Sequence, residues 1–364
     1  MKMLIHAQTI PGKIRPIRLS EPEIFCDREK EGRSGHVGHG LCETAPGRII
    51  DFSPNTSSKK GGGHAMYGWM EYRISTDYGK TFGEPRIFPF SWESLMDGIF
   101  TVAVEKVTAG TDGSVTAYCL RGNMEGVMCC EPYLTPYYVV SEDGGETWGE
   151  PKEFSPYRGR IYDAVTADGT VYVLQACGNG GEFLAEDYRL FRSEDNGRTF
   201  AEVSVLPVGN RKENAYGNLI VNPDGSLTAY LYNLNDEQNM DCAVSRDGGA
   251  TWCETFRSFV ANRIRNPQIM LLDGQYILHG RAGENGPGAG SFVFYTSADG
   301  REWDEGTLLA YGRPACYYSN NLVLNCPDGK QRALVEYSEN YRDPMPGVWS
   351  GTCNEMHLWI ESAD

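Results

Sequence analysis

The chain has 364 residues, with 33 Lys and Arg against 49 Asp and Glu, a formal net charge of -16. That balance argues against nucleic acid or an anionic membrane as the main partner, although a local arginine cluster would still suit an anionic small molecule. Hydrophobic residues at 40% and aromatics at 12% supply a packed core, while 43 glycines and 19 prolines suit a fold with many tight turns.

The chain opens on MKMLIHAQTIPGKIRP, which lacks the apolar core of a signal peptide, and no later stretch approaches the roughly 20 apolar residues of a membrane span. Eleven cysteines, without a C-x-x-C pair and with Cys129 and Cys130 adjacent, read as thiols of a reducing compartment. A cytoplasmic location is the expectation. His36, His39 and His64 gather half of the six histidines near the start. They lack the carboxylate or Cys company of a metal site, so no metal is expected. The Gly-rich KKGGGH at 59–64 lacks the flanking strand and helix of a phosphate loop, and no cofactor is expected.

From position 75 a short pattern recurs, S-x-D-x-G-x-T-(W/F): STDYGKTF, SEDGGETW, SEDNGRTF and SRDGGATW, then a shortened SADGREW. The aspartates Asp143, Asp195, Asp247 and Asp299 stand at a constant spacing of 52 residues. A fixed period near fifty, with a strand-like segment before each copy, is the signature of propeller blades. The Asp and Ser side chains bond backbone N–H groups within a tight turn, and Gly permits positive φ there, so the pattern is structural.

A second register of turns agrees with this. Asp-Gly pairs stand at Asp112, Asp168, Asp224, Asp273 and Asp328, with Pro46-Gly47 in the equivalent place of the first unit. The expectation is an all-β chain, residues 1–364 as one domain: a six-bladed propeller of four-stranded antiparallel blades. Each blade reads strand a, Asp-Gly turn, strand b, long loop, strand c, repeated turn, strand d. The sixth blade runs from Tyr317 to the end and lacks its last strand, which MKMLIHAQTI is expected to supply, closing the ring.

Both sets of turns lie on one face, so the long b–c loops and d–a connections lie on the other. The site is expected on the axis at that second face, since functional residues favour loops on a rigid scaffold. Starts of strand a offer His36, His39, Asp97, Tyr162, Asp163, Glu213, Tyr216, Arg265 and Tyr318. Ends of strand b offer Arg121, Tyr232, Arg281 and Glu336. Carboxylates, tyrosines and arginines converging on one mouth suit glycosidic chemistry on an acidic sugar.

These repeats resemble the Asp-box propellers of the sialidase superfamily along nearly the whole chain. The resemblance implies a carbohydrate partner, a tyrosine nucleophile activated by a glutamate, an aspartate acid/base and a clamp of arginines. In YYSNNLVLNCPDGKQRALVEYSE it points to Tyr318 as nucleophile and Glu336 as a supporting residue. Arg281 matches a clamp arginine and Asp97 the acid/base. The family's Arg-Ile-Pro of the first blade is absent, HVGHG standing near that place, and Arg33 and Arg265 are out-of-register substitutes. The blade-four glutamate position falls on Tyr216, with Glu213 three residues earlier. Three functions follow: a retaining sialidase-like exo-glycosidase, a propeller glycosidase or lyase using a carboxylate pair that includes Asp163, and a non-catalytic sugar-binding propeller.

Overall fold

In the computed structural model each complete S-x-D-x-G-x-T segment closes a hairpin by the same hydrogen bonds. Ser75 Oγ donates to Asp77 Oδ1 (2.8 Å) and accepts the Gly79 N–H (2.9 Å), while the Asp77 carboxylate accepts the Thr81 N–H (2.9 Å) and hydroxyl (2.7 Å). The set recurs around Asp143, Asp195 and Asp247. The turn glycine is required twice over. Gly145 and Gly249 have φ of 89° and 86°. A Cβ there would also lie 1.9 Å from Ile50 or Leu190, side chains of the preceding blade. Each turn therefore closes its own hairpin and docks against its neighbour.

The structure describes residues 8–60, 65–125, 133–178, 186–209, 214–283, 288–310, 317–342 and 352–363. They form six antiparallel sheets around one axis. Blade I has a divided inner strand, Arg33–Ser34 and Gly40–Ala45, followed by Arg48–Ser57, Gly68–Ser75 and Arg86–Ile87. Blade II is Phe100–Ala109, Val115–Asn123, Tyr137–Ser141 and Lys152–Glu153, and blade III is Gly159–Ala167, Thr170–Cys177, Asp187–Ser193 and Ala201–Val205. Blade IV is Asn214–Val221, Leu227–Asn233, Asn239–Ser245 and Glu254–Phe259, and blade V is Arg265–Leu272, Gln275–Arg281, Phe292–Ser297 and Thr307–Ala310. Blade VI is Ser319–Asn325, Gln331–Arg342 and Thr352–Ser362, completed from the N-terminus.

That completion corrects one expectation. The strands paired directly with Thr352–Ser362 are Ile17–Leu19 and Glu23–Cys26, and Gln8–Ile10 adds a further strand outside Ile17–Leu19. Residues 1–7 lie outside the described residues. Pro11, Pro16 and Pro22 cut this segment into strands too short to read as one run. Burial of Ile10, Ile17, Leu19 and Cys26 selects the register. Gln275 of blade V clasps the turn by accepting the N–H groups of Ile14 (2.7 Å) and Arg15 (3.2 Å).

Apolar clusters fill the junctions from I/II to V/VI, each blade packing its face on the next. The VI/I seam, where the ring closes, is different. Its buried apolar cluster among the described residues is Ile49, Leu324 and Cys326. Beside it lies a buried polar array: Arg28 is fully buried between Glu71 (3.0 Å) and Glu355 (3.2 Å), and His357 meets Asp51 at 2.9 Å. No helix among the described residues is long and apolar enough to cross a membrane.

Candidate active site at the propeller axis

The inner strands do not run regularly to the mouth. In blade II the pairing skips Glu105, in blade III Tyr162, in blade IV Tyr216, and in blade V Asn266 and Pro267. A bulge of this kind re-aims the skipped side chain and its neighbour. Tyr216 (φ 37°) and Asn266 (φ 53°) adopt left-handed backbone at these bulges, and Tyr317 (φ 61°) does so just before the inner strand of blade VI. The consequence is convergence. Glu105, Tyr162, Tyr216 and Asn266 all line one axial cavity of about 50 Å³, together with His39 of blade I and Tyr318 of blade VI.

Below the bulges a polar belt seals the axis. Lys106 Nζ donates to Gln268 (2.7 Å) and Asn320 (2.7 Å) and pairs with Asp163 at 3.0 Å. Asp163 also accepts Asn218 Nδ2 (2.5 Å) and the Leu219 N–H (2.7 Å). Asn218 in turn accepts the Ile269 N–H (3.1 Å), and Asn320 Nδ2 donates to the His39 carbonyl (2.9 Å). One network thus ties all six blades together. The ammonium and carboxylate are buried, yet each is paired and hydrogen-bonded, which is the condition under which burial of charge is tolerated.

Above the belt the surface is aromatic and cationic. Tyr216 lies 4.8 Å from Tyr162, 6.1 Å from Tyr232 and 6.3 Å from Tyr318, measured between ring centroids. Arg160 bonds Glu105, donates to the Tyr216 hydroxyl (2.9 Å) and lies 4.8 Å over that ring. Arg265 pairs with Glu237 (3.3 Å) and interacts with Tyr232 and Tyr318, while the Arg281 guanidinium lies 5.7 Å over the Tyr318 ring. Burial raises the Glu237 carboxyl above the usual range and raises the Tyr216 and Tyr232 phenols. Burial pushes the His39 imidazole down to about 4, so near neutral pH it is uncharged.

The structure gathers some expected residues and scatters others. Tyr318, half-buried, shares the cavity with Tyr216 and His39; Arg281 lies over the Tyr318 ring and Arg265 interacts with Tyr318, but neither arginine is among the residues lining the cavity. Asp163 belongs to the belt beneath. Arg33 is held on blade I by Asn55 (2.6 Å) and lies over Trp69. Asp97 is the exposed last residue of the helix Pro89–Asp97, away from the cavity lining. Glu336 is fully buried in the VI/I seam, where burial and the nearby Asp51 charge raise its carboxyl well above normal. Glu213 and His64 lie outside the described residues. Sequence reasoning passed over Glu105, Lys106, Arg160, Glu237 and Asn266. The pair Glu105-Lys106 inside the apolar run FTVAVEKVTA was a usable signal, because two charges in mid-strand need an axial reason.

No family model matches the chain, and no curated protein matches it by sequence. Solved structures do match. A protein of unknown function from Dyadobacter fermentans superposes with a TM-score of 0.68 at 18% identity, covering 97% of this chain and 100% of that one. A Hadza microbial sialidase gives 0.65 at 16% identity, covering 95% of this chain and 68% of that one. The NanB sialidase from Streptococcus pneumoniae gives 0.64 at 12% identity over 93% and 70%. The class defined here is thus a six-bladed β-propeller with a sialidase-like fold. At these identities the likeness concerns the fold.

Proposed function

We propose that the axial mouth belongs to a sialidase-like, retaining exo-glycoside hydrolase acting on a terminal acidic sugar such as sialic acid or a related ulosonic acid. The observation that carries this reading is the setting of Tyr318: a half-buried phenol on the axial cavity, with Arg281 over its ring and Arg265 beside it. A neutral phenol approaches an anionic sugar without the repulsion a carboxylate would meet. It becomes a nucleophile when a carboxylate takes its proton, a role for which the sequence offers Glu213, outside the described residues. Arg281 and Arg265 supply charge-assisted hydrogen bonds for the acid group. Attack by Tyr318 Oη on the anomeric carbon breaks the glycosidic bond, and the leaving oxygen takes a proton from a carboxylic acid; Asp97, the residue the resemblance points to, is not among the residues lining the cavity. Water then releases the sugar with its configuration retained. The Asp-box repeats serve this chemistry by holding the opposite face rigid.

A sugar-binding propeller without catalysis is the second reading, favoured by the exposure of Asp97 outside the cavity lining. Purified protein assayed on chromogenic sialosides, ulosonides, uronides and arabinosides separates the two. Hydrolysis of an acidic glycoside that falls by about three orders of magnitude in Tyr318→Phe, at unchanged melting temperature, supports the enzyme. Full activity in Tyr318→Phe overturns the tyrosine mechanism. Binding without turnover supports the second reading.

A further inference from the structure

Among the described residues, two that line the axial cavity carry buried side-chain polar atoms without a hydrogen-bond partner. Glu105 bonds Arg160 through Oε2, while Oε1 is buried without a hydrogen-bond partner, and its side chain is 6% exposed. The amide of Asn266, a residue 4% exposed, has neither Oδ1 nor Nδ2 bonded. They come from opposite arcs of the ring, blades II and V, and each sits at an inner-strand bulge. Buried polar groups are ordinarily satisfied, and an orphaned one costs stability. Two such groups on residues that line one cavity therefore point to a ligand.

We propose that Glu105 and Asn266 form a hydroxyl-recognition subsite that receives the uncharged, hydroxyl-bearing end of the sugar, while its acid group lies across Tyr318 at Arg265 and Arg281. The proposal rests on the reading of the mouth as an acidic-sugar site and adds its orientation. A carboxylate oxygen accepts only, so the group facing Glu105 is a donor, and the Asn266 amide offers both an NH2 that donates and a carbonyl oxygen that accepts. Vicinal hydroxyls answer both. A ligand carboxylate does not belong here, because Arg160 is already engaged by Glu105 and by the Tyr216 hydroxyl. Size agrees. About 50 Å³ holds a few water-sized groups, at roughly 10–15 Å³ each, but not a whole sugar ring.

The test compares wild type with Glu105→Gln, which keeps the shape, and with Asn266→Gly, which suits the left-handed backbone at φ 53°. Both are first checked for an unchanged unfolding transition; the second serves if loss of the Arg160 partner unfolds the first. Titration calorimetry with N-acetylneuraminic acid and its monodeoxy analogues reads the orientation. The expected result is a rise in Kd of about tenfold or more in each variant, with one deoxy analogue bound equally by wild type and variants. Arg281→Ala should weaken the parent sugar and all analogues alike. Unchanged affinities in both variants overturn the subsite while leaving the acidic-sugar site standing. Xylitol, which has the hydroxyls and no acid group, tests the subsite by itself. A saturation-transfer signal in wild type that disappears in the variants upholds it, even if no acidic sugar binds and that reading falls. Absence of both xylitol and sugar binding in wild type overturns both.

Discussion

Glu105 and Lys106 are neighbours in the chain and belong to opposite regimes of the axis. Lys106 has two hydrogen bonds and an ion pair in the belt, and Asp163 beside it accepts from blade IV as well. One layer higher, Glu105 Oε1 and the Asn266 amide are buried without partners. In blades II and III the bulges serve both layers: the skipped Glu105 and Tyr162 line the cavity, and the next residues, Lys106 and Asp163, form the ion pair of the belt. The comparison separates stability from function. A saturated network joins the blades, and the rigidity it confers lets the layer above keep polar groups unsatisfied for a ligand.

The largest effect tests the lower layer. Lys106→Met should destabilise the chain by about 3–5 kcal/mol, because it strands the buried Asp163 carboxylate, and urea unfolding reads the change. A loss below about 1 kcal/mol would break the comparison, since the belt would then not hold the ring. Next come the turns of the opposite face. Asp195→Ala should cost about 1–3 kcal/mol through lost hydrogen bonds while leaving ligand binding per folded molecule unchanged. A large change in binding at normal stability would move the site to that face.

Acid acts on the same turns. Hydrogen bonds from Thr147 hold the Asp143 carboxyl down at about 2, below its value in the unfolded chain. The stability it contributes is present above about pH 4 and is lost as pH falls toward 2, so thermal melts should decline over that window. Asp143→Asn should show a shallower decline.

The smallest effect comes from the VI/I seam, the polar junction among apolar ones. Glu336 is raised by burial and by Asp51, so the folded chain holds a proton that the unfolded chain gives up. Its contribution is full below about pH 4 and is lost as pH rises through the folded value. Glu336→Gln should therefore melt higher than wild type by roughly 2 °C at pH 8, with the difference shrinking toward pH 5. Parallel melting curves across that range would show that Glu336 does not titrate in the seam.

What the sequence determined by itself is the local chemistry and its period. Ser75, Asp77, Gly79 and Thr81 make a turn from bonds within seven residues, so four complete copies and a shortened fifth announce the blades without reference to the rest of the chain. It also placed Tyr318, Tyr216 and His39 at the starts of inner strands, because an inner strand must begin near the axis. Only the tertiary structure decided which side chains meet. A one-residue bulge reverses the side a residue faces. Glu105 and Asn266 therefore enter the cavity by pairing irregularities that their own sequence does not announce. Ring closure is equally non-local: Ile17–Leu19 and Glu23–Cys26 are too short and too broken by proline to read as strands. They become strands because the edge of Thr352–Ser362, more than three hundred residues away, leaves its backbone groups in need of partners.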